Sequence, residues 1–558
     1  MELGDFDPAV AASLRLYNHY EKKLLDGFQS VWLELQSTHN KAPIGRVAVI
    51  GAGLAGLRAA MILKEAGQDL DVDILEASER IGGRIYTYKF FHHTSGNLET
   101  ASTVNSYFDV GAMRFPYVPV MKAAFELLDR LGIEVSPFVM SAGGNLLSYN
   151  GIRMRKSELQ GPSAWENDPF KVSRHNGGKI PPGPWDGKDP SILLAETIQP
   201  FVDELLSDAD RGLDHLMSKY HGYSGRTYMV THMGYPPELV DWIEVMTVGA
   251  GWLDREFIET ILEEMGFNFD IQLSSKEIEW KSVDGGAERI PLSMLDWLKT
   301  NAPRTKLFLG HRVTSINYDQ TARQFTMSGT FPTSPALQNT YSHVICAVPP
   351  TCIREINLSS CKLDEYQQAA VEGFYMGPGS KVGMKFKTAW WTEPGIEIRG
   401  GQSATDRTAR QIIYPCTESG ESTVLIASYD WTAHSVTLGK MMRGTGSLEE
   451  EKLKLLLLED LAYLHGVPLE RLRADLEAMY AFDWDQNPLS LGAFGFFKPG
   501  RFMHAFQHLT RPAAQGQLYF ISDTLSAKHD WIVGAFESAE RAVLQLLGEY
   551  PQNEMTQE

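Results

Sequence analysis

Three glycines, Gly51, Gly53 and Gly56, stand at G-x-G-x-x-G spacing, and an acid, Glu76, follows them. Residues of these types at this spacing bind the diphosphate and ribose of a dinucleotide. The first glycine permits a tight turn, the second admits a pyrophosphate to the backbone, and the third lets a helix lie close on a strand. Free N–H groups at the start of that helix attract phosphate. A carboxylate at the end of the next strand accepts from a ribose diol and repels a 2′-phosphate. The surroundings suit this: Val47, Val49 and Ile50 form a β-branched run before the turn, Leu57 to Ala66 reads as a helix ending at Gly67, and Val72 to Leu75 reads as a second strand leading to Glu76.

The next residues, ERIGGR at 79–84, add Gly82 and Gly83 between two arginines. With the first motif, this stretch resembles the flavin-containing amine oxidase family. The resemblance implies FAD, with Gly82 and Gly83 bringing backbone to the cofactor and Arg80 or Arg84 facing its pyrophosphate. It also implies adenine contacts from the backbone of Val313 in LFLGHRVTSINYD, and further FAD contacts from Met113 and Ile532. The family's late flavin motif falls on DTLSAKHDW, where Asp523 is the acceptor for a ribityl or bridging hydroxyl. There the chain departs from pattern. Ser522-Asp523 replaces Gly-Glu, and Asp530-Trp531 replaces Gly-Trp, putting a side chain where the family has hydrogen.

The implied reaction is hydride transfer from an amine carbon to flavin N5, in which the protein mainly positions the substrate. No G-x-S-x-G elbow or HExxH helix argues for other chemistry. Lys381, in GSKVGMKFKTAWW, matches the family lysine that holds a water beside N5, and Trp391 matches the tryptophan ten residues on. A solvent-facing strand lysine, as expected for Lys385 and Lys387, is the plainer reading of Lys381. Arg114, in DVGAMRFP, resembles the arginine with which the L-amino-acid oxidase branch forks a substrate carboxylate, and it also fills the role of FAD contact in that motif. A planar guanidinium suits a carboxylate bidentately; a structural or flavin-phosphate arginine is the alternative. Tyr414, in RQIIYPC, resembles the tyrosine that shares the carboxylate. Phe494 and Trp531 would wall the substrate pocket, Trp531 being otherwise a core tryptophan, and the backbone at Asp530 would receive the amine. The stretch 491–500 lacks the cysteine that tethers flavin in monoamine oxidases, so dissociable FAD is expected.

These residues must be placed by several elements. The resemblance implies an α/β fold: a glutathione-reductase-like, doubly wound FAD-binding domain, a mixed-sheet substrate domain and an inserted helical subdomain. The FAD domain would be discontinuous, from 41–92, 280–372 and 500–558. The substrate domain would take 93–185 and 373–499, the helical subdomain 186–279, and an N-terminal helical segment 1–40. Residues 8–36 carry apolar residues at roughly helical spacing, and 448–479 reads as helix. Residues 157–190, rich in Pro, Gly and charge, read as a long loop, either a lid or a disordered excursion. KVGMKFKTAWW alternates as a half-buried strand does.

A chain of 558 residues exceeds one simple core. Its hydrophobic fraction of 43% and charged fraction of 22% are globular values. A net charge of −19 argues against nucleic acid or an anionic membrane as a main partner. Cys346, Cys352, Cys361 and Cys416 match no zinc or CxxC spacing, and His92 and His93 lack companions for a metal. No signal peptide or apolar membrane span is visible, so a cytoplasmic address is the default.

The function implied is an FAD-dependent L-amino-acid oxidase, forming a 2-oxo acid, ammonia and hydrogen peroxide from a large apolar or aromatic L-amino acid, water and O2. The amine must arrive neutral, so activity should rise toward alkaline pH. Alternatives are an L-amino-acid 2-monooxygenase, which decarboxylates to an amide, and an FAD-binding interaction module without activity. A dimer is common in the family, and the expectation for this chain is a homodimer or higher homo-oligomer.

Overall fold

The computed structural model describes residues 44–90, 105–247, 249, 251–267, 278–331, 339–416, 422–526 and 528–548. The N-terminal segment, His92 and His93 lie outside them.

A five-stranded parallel sheet forms in the order Thr305–Phe308, Val72–Leu75, Val47–Ile50, His343–Cys346 and Leu518–Phe520. Every residue of the three strands beginning at Val47, Val72 and His343 is buried, as a sheet covered on both faces requires. Helix Leu54–Glu65 follows the first strand and packs against helices Ile532–Leu547 and Arg289–Asn301. Close packing depends on Gly56: a Cβ there would stand 2.0 Å from the Gly51 carbonyl oxygen. The carboxyl ends of the strands open together, and the turns leaving Ile50, Leu75 and Cys346 line one crevice, where ligands bind in such sheets.

A seven-stranded mixed sheet runs Leu476–Asp483, Gly379–Phe386, Val424–Trp431, Gln411–Ile413, Gln402–Thr405, Leu146–Tyr149 and Ile152–Arg155. Only the pairing of Gln402–Thr405 with Leu146–Tyr149 is parallel. Side chains alternate between its faces. Val382, Met384 and Phe386 join Leu453, Leu457 and Leu461 of helix Leu448–His465 in one core, while Lys381 faces the opposite side, toward the crevice. The alternation predicts a half-buried strand here. Instead all eight residues of Gly379–Phe386 are buried, because strands flank it on both edges. Lys385 is buried and paired with Glu477, not solvent-facing.

Five helices between Pro190 and Phe267 form the helical region the sequence indicates. The first begins at a proline, with the Asp189 side chain accepting from the Ser191 N–H at 2.9 Å. Residues 157–190 are ordered turns and short 3-10 segments rather than a disordered excursion. Asp168 organises them, accepting from the backbones of Val172 and Ser173 and the side chains of Ser173 and Asn176. The 448–479 stretch is helical only to Asp475; Leu476 begins an edge strand.

Candidate active site

One cavity of about 760 Å³ runs from the carboxyl ends of the parallel strands to the crevice face of the mixed sheet. Gly51, Gly53, Gly82 and Gly83 line its first end, and Gly53 bridges Gly82. Gly51 takes φ of +103°, and a Cβ there would meet the Ala347 carbonyl oxygen at 2.9 Å. A Cβ on Gly53 would meet nothing within 4 Å, so the loop presents bare backbone to open space. No side chain caps the helix that starts at Leu54, leaving its amino end open to an anion. The Glu76 carboxylate accepts from the Ala52 N–H at 2.8 Å and from Ser78, and it lines the same end. Gly56 shapes the helix packing and does not line the cavity. These residues fit a dinucleotide diphosphate.

Arg84, Met113, Val313, Asp523 and Ile532 all line the cavity. The Arg84 guanidinium is engaged with both Asp523 carboxylate oxygens and donates to the Ala493 carbonyl at 3.2 Å. Arg80 also lines the cavity, but its guanidinium is turned onto the Ile81, Gly83 and Ile85 carbonyls and the Tyr86 ring.

At the far end Arg114, Lys381, Phe494, Asp530 and Trp531 come together. Lys381 is 3% exposed and donates to the Asp109 carbonyl at 3.0 Å and the Gly111 carbonyl at 2.6 Å, with its Nζ 4.6 Å from the Tyr429 ring centre. Burial pushes its pKa well below the usual lysine range; Asp109 pulls the other way and Arg114 adds to the depression. Arg114 lies 5.7 Å from the Trp280 ring centre and 6.0 Å from that of Phe138, and donates to Gln402 Oε1 at 3.2 Å. Among the described residues no carboxylate pairs with it. Burial lowers its pKa as well.

Tyr414 is a correction. It does not line the cavity: it is 1% exposed, and its hydroxyl is held by Ser403 at 2.9 Å and His465 at 2.6 Å. The reason is strand alternation. Gln411 faces the cavity, so Ile412 and Tyr414 face the core behind the sheet, where Trp391 also lies. The polar wall is instead supplied by Gln402, Gln411 and Tyr429, none of which the sequence singles out, although Gln411 stands in the same RQIIYPC stretch as Tyr414. Gln411 Oε1 is buried without a partner among the described residues, an acceptor left for a ligand. Trp252, Trp280 and Trp431 complete an aromatic enclosure with Phe494, whose ring centre is 5.4 Å from that of Trp252.

Asp530 takes φ of +77°, in the region that favours glycine. The backbone thus keeps a glycine-like path although a carboxyl occupies the position. Asp530 Oδ1 accepts from the Gly495 N–H at 2.7 Å.

The chain is similar to known proteins in sequence and in fold. The pattern of the family described as flavin containing amine oxidoreductase matches residues 54–547. The chain is 31% identical to L-amino-acid oxidase 4 of Hebeloma cylindrosporum, over 96% of this chain and 87% of that one. It is 28% identical to an L-amino-acid oxidase of Siganus canaliculatus, over 90% and 85%. Its fold is shared by putrescine oxidase bound to putrescine, with a TM-score of 0.66 at 19% identity, covering 91% of this chain and all of that one. Cyclohexylamine oxidase of Brevibacterium oxydans IH-35A gives a TM-score of 0.62 at 18% identity, covering 91% and 99%. The chain therefore belongs to the flavin-containing amine oxidoreductase family, and FAD is its cofactor.

Proposed function

We propose that the protein is an L-amino-acid oxidase, converting an L-amino acid, water and O2 to a 2-oxo acid, ammonia and hydrogen peroxide. The observation that carries this reading is Arg114: a guanidinium facing an aromatic cavity whose described partner is a neutral amide. Among the described residues this cation has no carboxylate partner, and a substrate carboxylate would supply one in the bidentate geometry arginine favours. The relatives named L-amino-acid oxidase support the same substrate class.

The bound flavin supplies the two-electron acceptor. Gly51, Gly53, Gly82 and Gly83 would admit its diphosphate, Glu76 its ribose, and Val313, Met113 and Ile532 the remaining walls. Arg114 and Gln402 hold the substrate carboxylate. Gln411 and Tyr429 offer further polar contacts, and Trp252, Trp431 and Phe494 form an apolar compartment suited to a large side chain. Lys381 ties its own strand to the turn preceding Arg114, so the two side chains are placed as a unit. FAD is held without a covalent bond, since residues 491–500 contain no cysteine.

The test is turnover of an L-amino-acid panel followed by peroxide, with the organic product identified. A 2-oxo acid agrees with the reading, an amide would make the enzyme a monooxygenase, and oxidation of simple amines alone would overturn it.

A further inference from the structure

We propose that the Asp530 side chain takes the proton from the substrate's α-ammonium group, delivering the neutral amine for oxidation. The inference rests on the L-amino-acid reading above and goes beyond it, because it gives a chemical role to a carboxyl that stands where the family pattern has hydrogen.

Asp530 lines the cavity beside Trp531 and Ile532. Its two oxygens are inequivalent. Oδ1 accepts the Gly495 N–H at 2.7 Å, whereas Oδ2 is buried and has no partner among the described residues. A buried carboxyl oxygen without a partner is costly unless it carries a proton or receives one from a ligand. The backbone at φ of +77° lies in the left-handed region, which aspartate, like asparagine, enters more readily than other side-chain-bearing residues.

The placement suits an amino-acid zwitterion. Tyr429 lies near enough to both Arg114 and Asp530 for their charges to act on its hydroxyl in opposite directions. Trp280 links the same two groups: its ring centre is 5.7 Å from the Arg114 guanidinium and 6.0 Å from the ring centre of Trp531, the neighbour of Asp530. A carboxylate held by Arg114 therefore leaves the α-ammonium on the side where the Asp530 carboxyl stands.

The groups around Asp530 set its charge. His529, Glu259, Glu263, Asp523 and Arg255 all act on it, in addition to Tyr429. His529 is paired with Glu259 at 2.7 Å, and Arg255 with Glu263. Both cations are thus set against other carboxylates, and among the described residues none forms an ion pair with Asp530. Burial, opposed by His529 and reinforced by Glu263, Glu259 and Asp523, pushes its pKa up to about 8. A base of that strength is close enough to an α-ammonium group to exchange a proton with it in either direction. In the step, one ammonium N–H bond breaks and one O–H bond forms at Oδ2. The nitrogen keeps the electron pair, and nothing is oxidised or reduced. The ionised form is the active one, so the step gains as pH rises through that value.

The test is the pH profile of kcat/KM for holoenzyme carrying Asp530→Asn or Asp530→Gly, both of which tolerate the left-handed backbone. Two substrates are used, L-phenylalanine and its β,β-difluoro analogue, whose amine is less basic. Wild type should show an enzyme group near pH 8 that stays in place when the substrate amine changes. Both variants should lose that group and fall about tenfold or more at pH 9, with flavin content unchanged. Variants that keep the wild-type profile and rate overturn the inference while leaving the L-amino-acid reading intact. A loss confined to lysine and arginine as substrates also overturns it, since Asp530 would then be reading a side-chain cation. Wild-type enzyme that oxidises amines and no L-amino acid overturns both readings at once.

Discussion

Lys381 donates to the carbonyl of Gly111 at 2.6 Å, three residues before Arg114. A strand of the mixed sheet is thereby fastened to the segment that presents the arginine. Lys381→Met removes this bond and the buried amino group but keeps the length of the side chain. Both half-reactions, reduction by substrate and reoxidation by O2, should be followed by stopped flow. At least one should slow about tenfold, equivalent to about 1.4 kcal/mol, with FAD still bound. Unchanged rates in both would return Lys381 to a purely structural role.

Gly53 and Gly56 should separate cofactor binding from folding. A side chain on Gly53 projects into open cavity, so Gly53→Val should fold and lose flavin. A Cβ on Gly56 meets backbone at 2.0 Å, so Gly56→Ala should destabilise the apoprotein by about 1–3 kcal/mol. Flavin absorbance and thermal melts of the apo forms distinguish the two. Full flavin content in folded Gly53→Val would contradict the placement of the diphosphate.

Acid precipitation should release the flavin into the supernatant. Cys352 is the one cysteine lining the cavity among the described residues, and burial pushes its thiol up to about 11, which disfavours the thiolate. Flavin that stays with the polypeptide, and is freed by Cys352→Ser, would show a covalent link there.

Thermal stability should fall as pH rises from 6.5 to above 9. Burial disfavours a charged His529, but Glu259 overrides it and moves the pKa up to about 9 from 6.5. The folded state then holds a proton that the unfolded state has released. This stabilisation is complete below pH 6.5 and is lost as pH passes about 9, an effect on the order of 3 kcal/mol. The raised pKa of Asp530 acts in the same direction, from pH 3.8 to about 8. Melting temperatures across this range test it. A flat profile would contradict it, and His529→Gln should reduce the slope.

The nucleotide half of the molecule was legible because its constraints are local. Gly51, Gly53, Gly56 and Glu76 act through adjacent turns and one strand end, so spacing along the chain carries the geometry. The substrate half was less legible because its wall is set by which face of a strand each residue occupies. Tyr414 resembles a motif residue, but alternation turns it into the core and gives the cavity to Gln411, three positions earlier. Gln402 and Tyr429 come from the two strands that flank the strand of Gln411, and which of their residues face the cavity is set by the register of that pairing. Lys385 was misread because a local alternation does not reveal strands on both edges. Asp530 was visible as a departure from pattern, and its positive φ explains why glycine is the usual choice.

The measurement that bears most directly on the central claim is kcat/KM of Arg114→Met for an L-amino acid and for the corresponding decarboxylated amine. Removing one member of a buried, hydrogen-bonded charge pair costs about 2–5 kcal/mol. That corresponds to a loss of about 30-fold to several thousand-fold with the amino acid. The expected result is that loss, an intact flavin spectrum, partial rescue by Arg114→Lys, and little further change with the amine, already a poor substrate for wild type. A wild-type preference for the amine, or loss of FAD in Arg114→Met, would contradict the assignment of Arg114 to the substrate carboxylate.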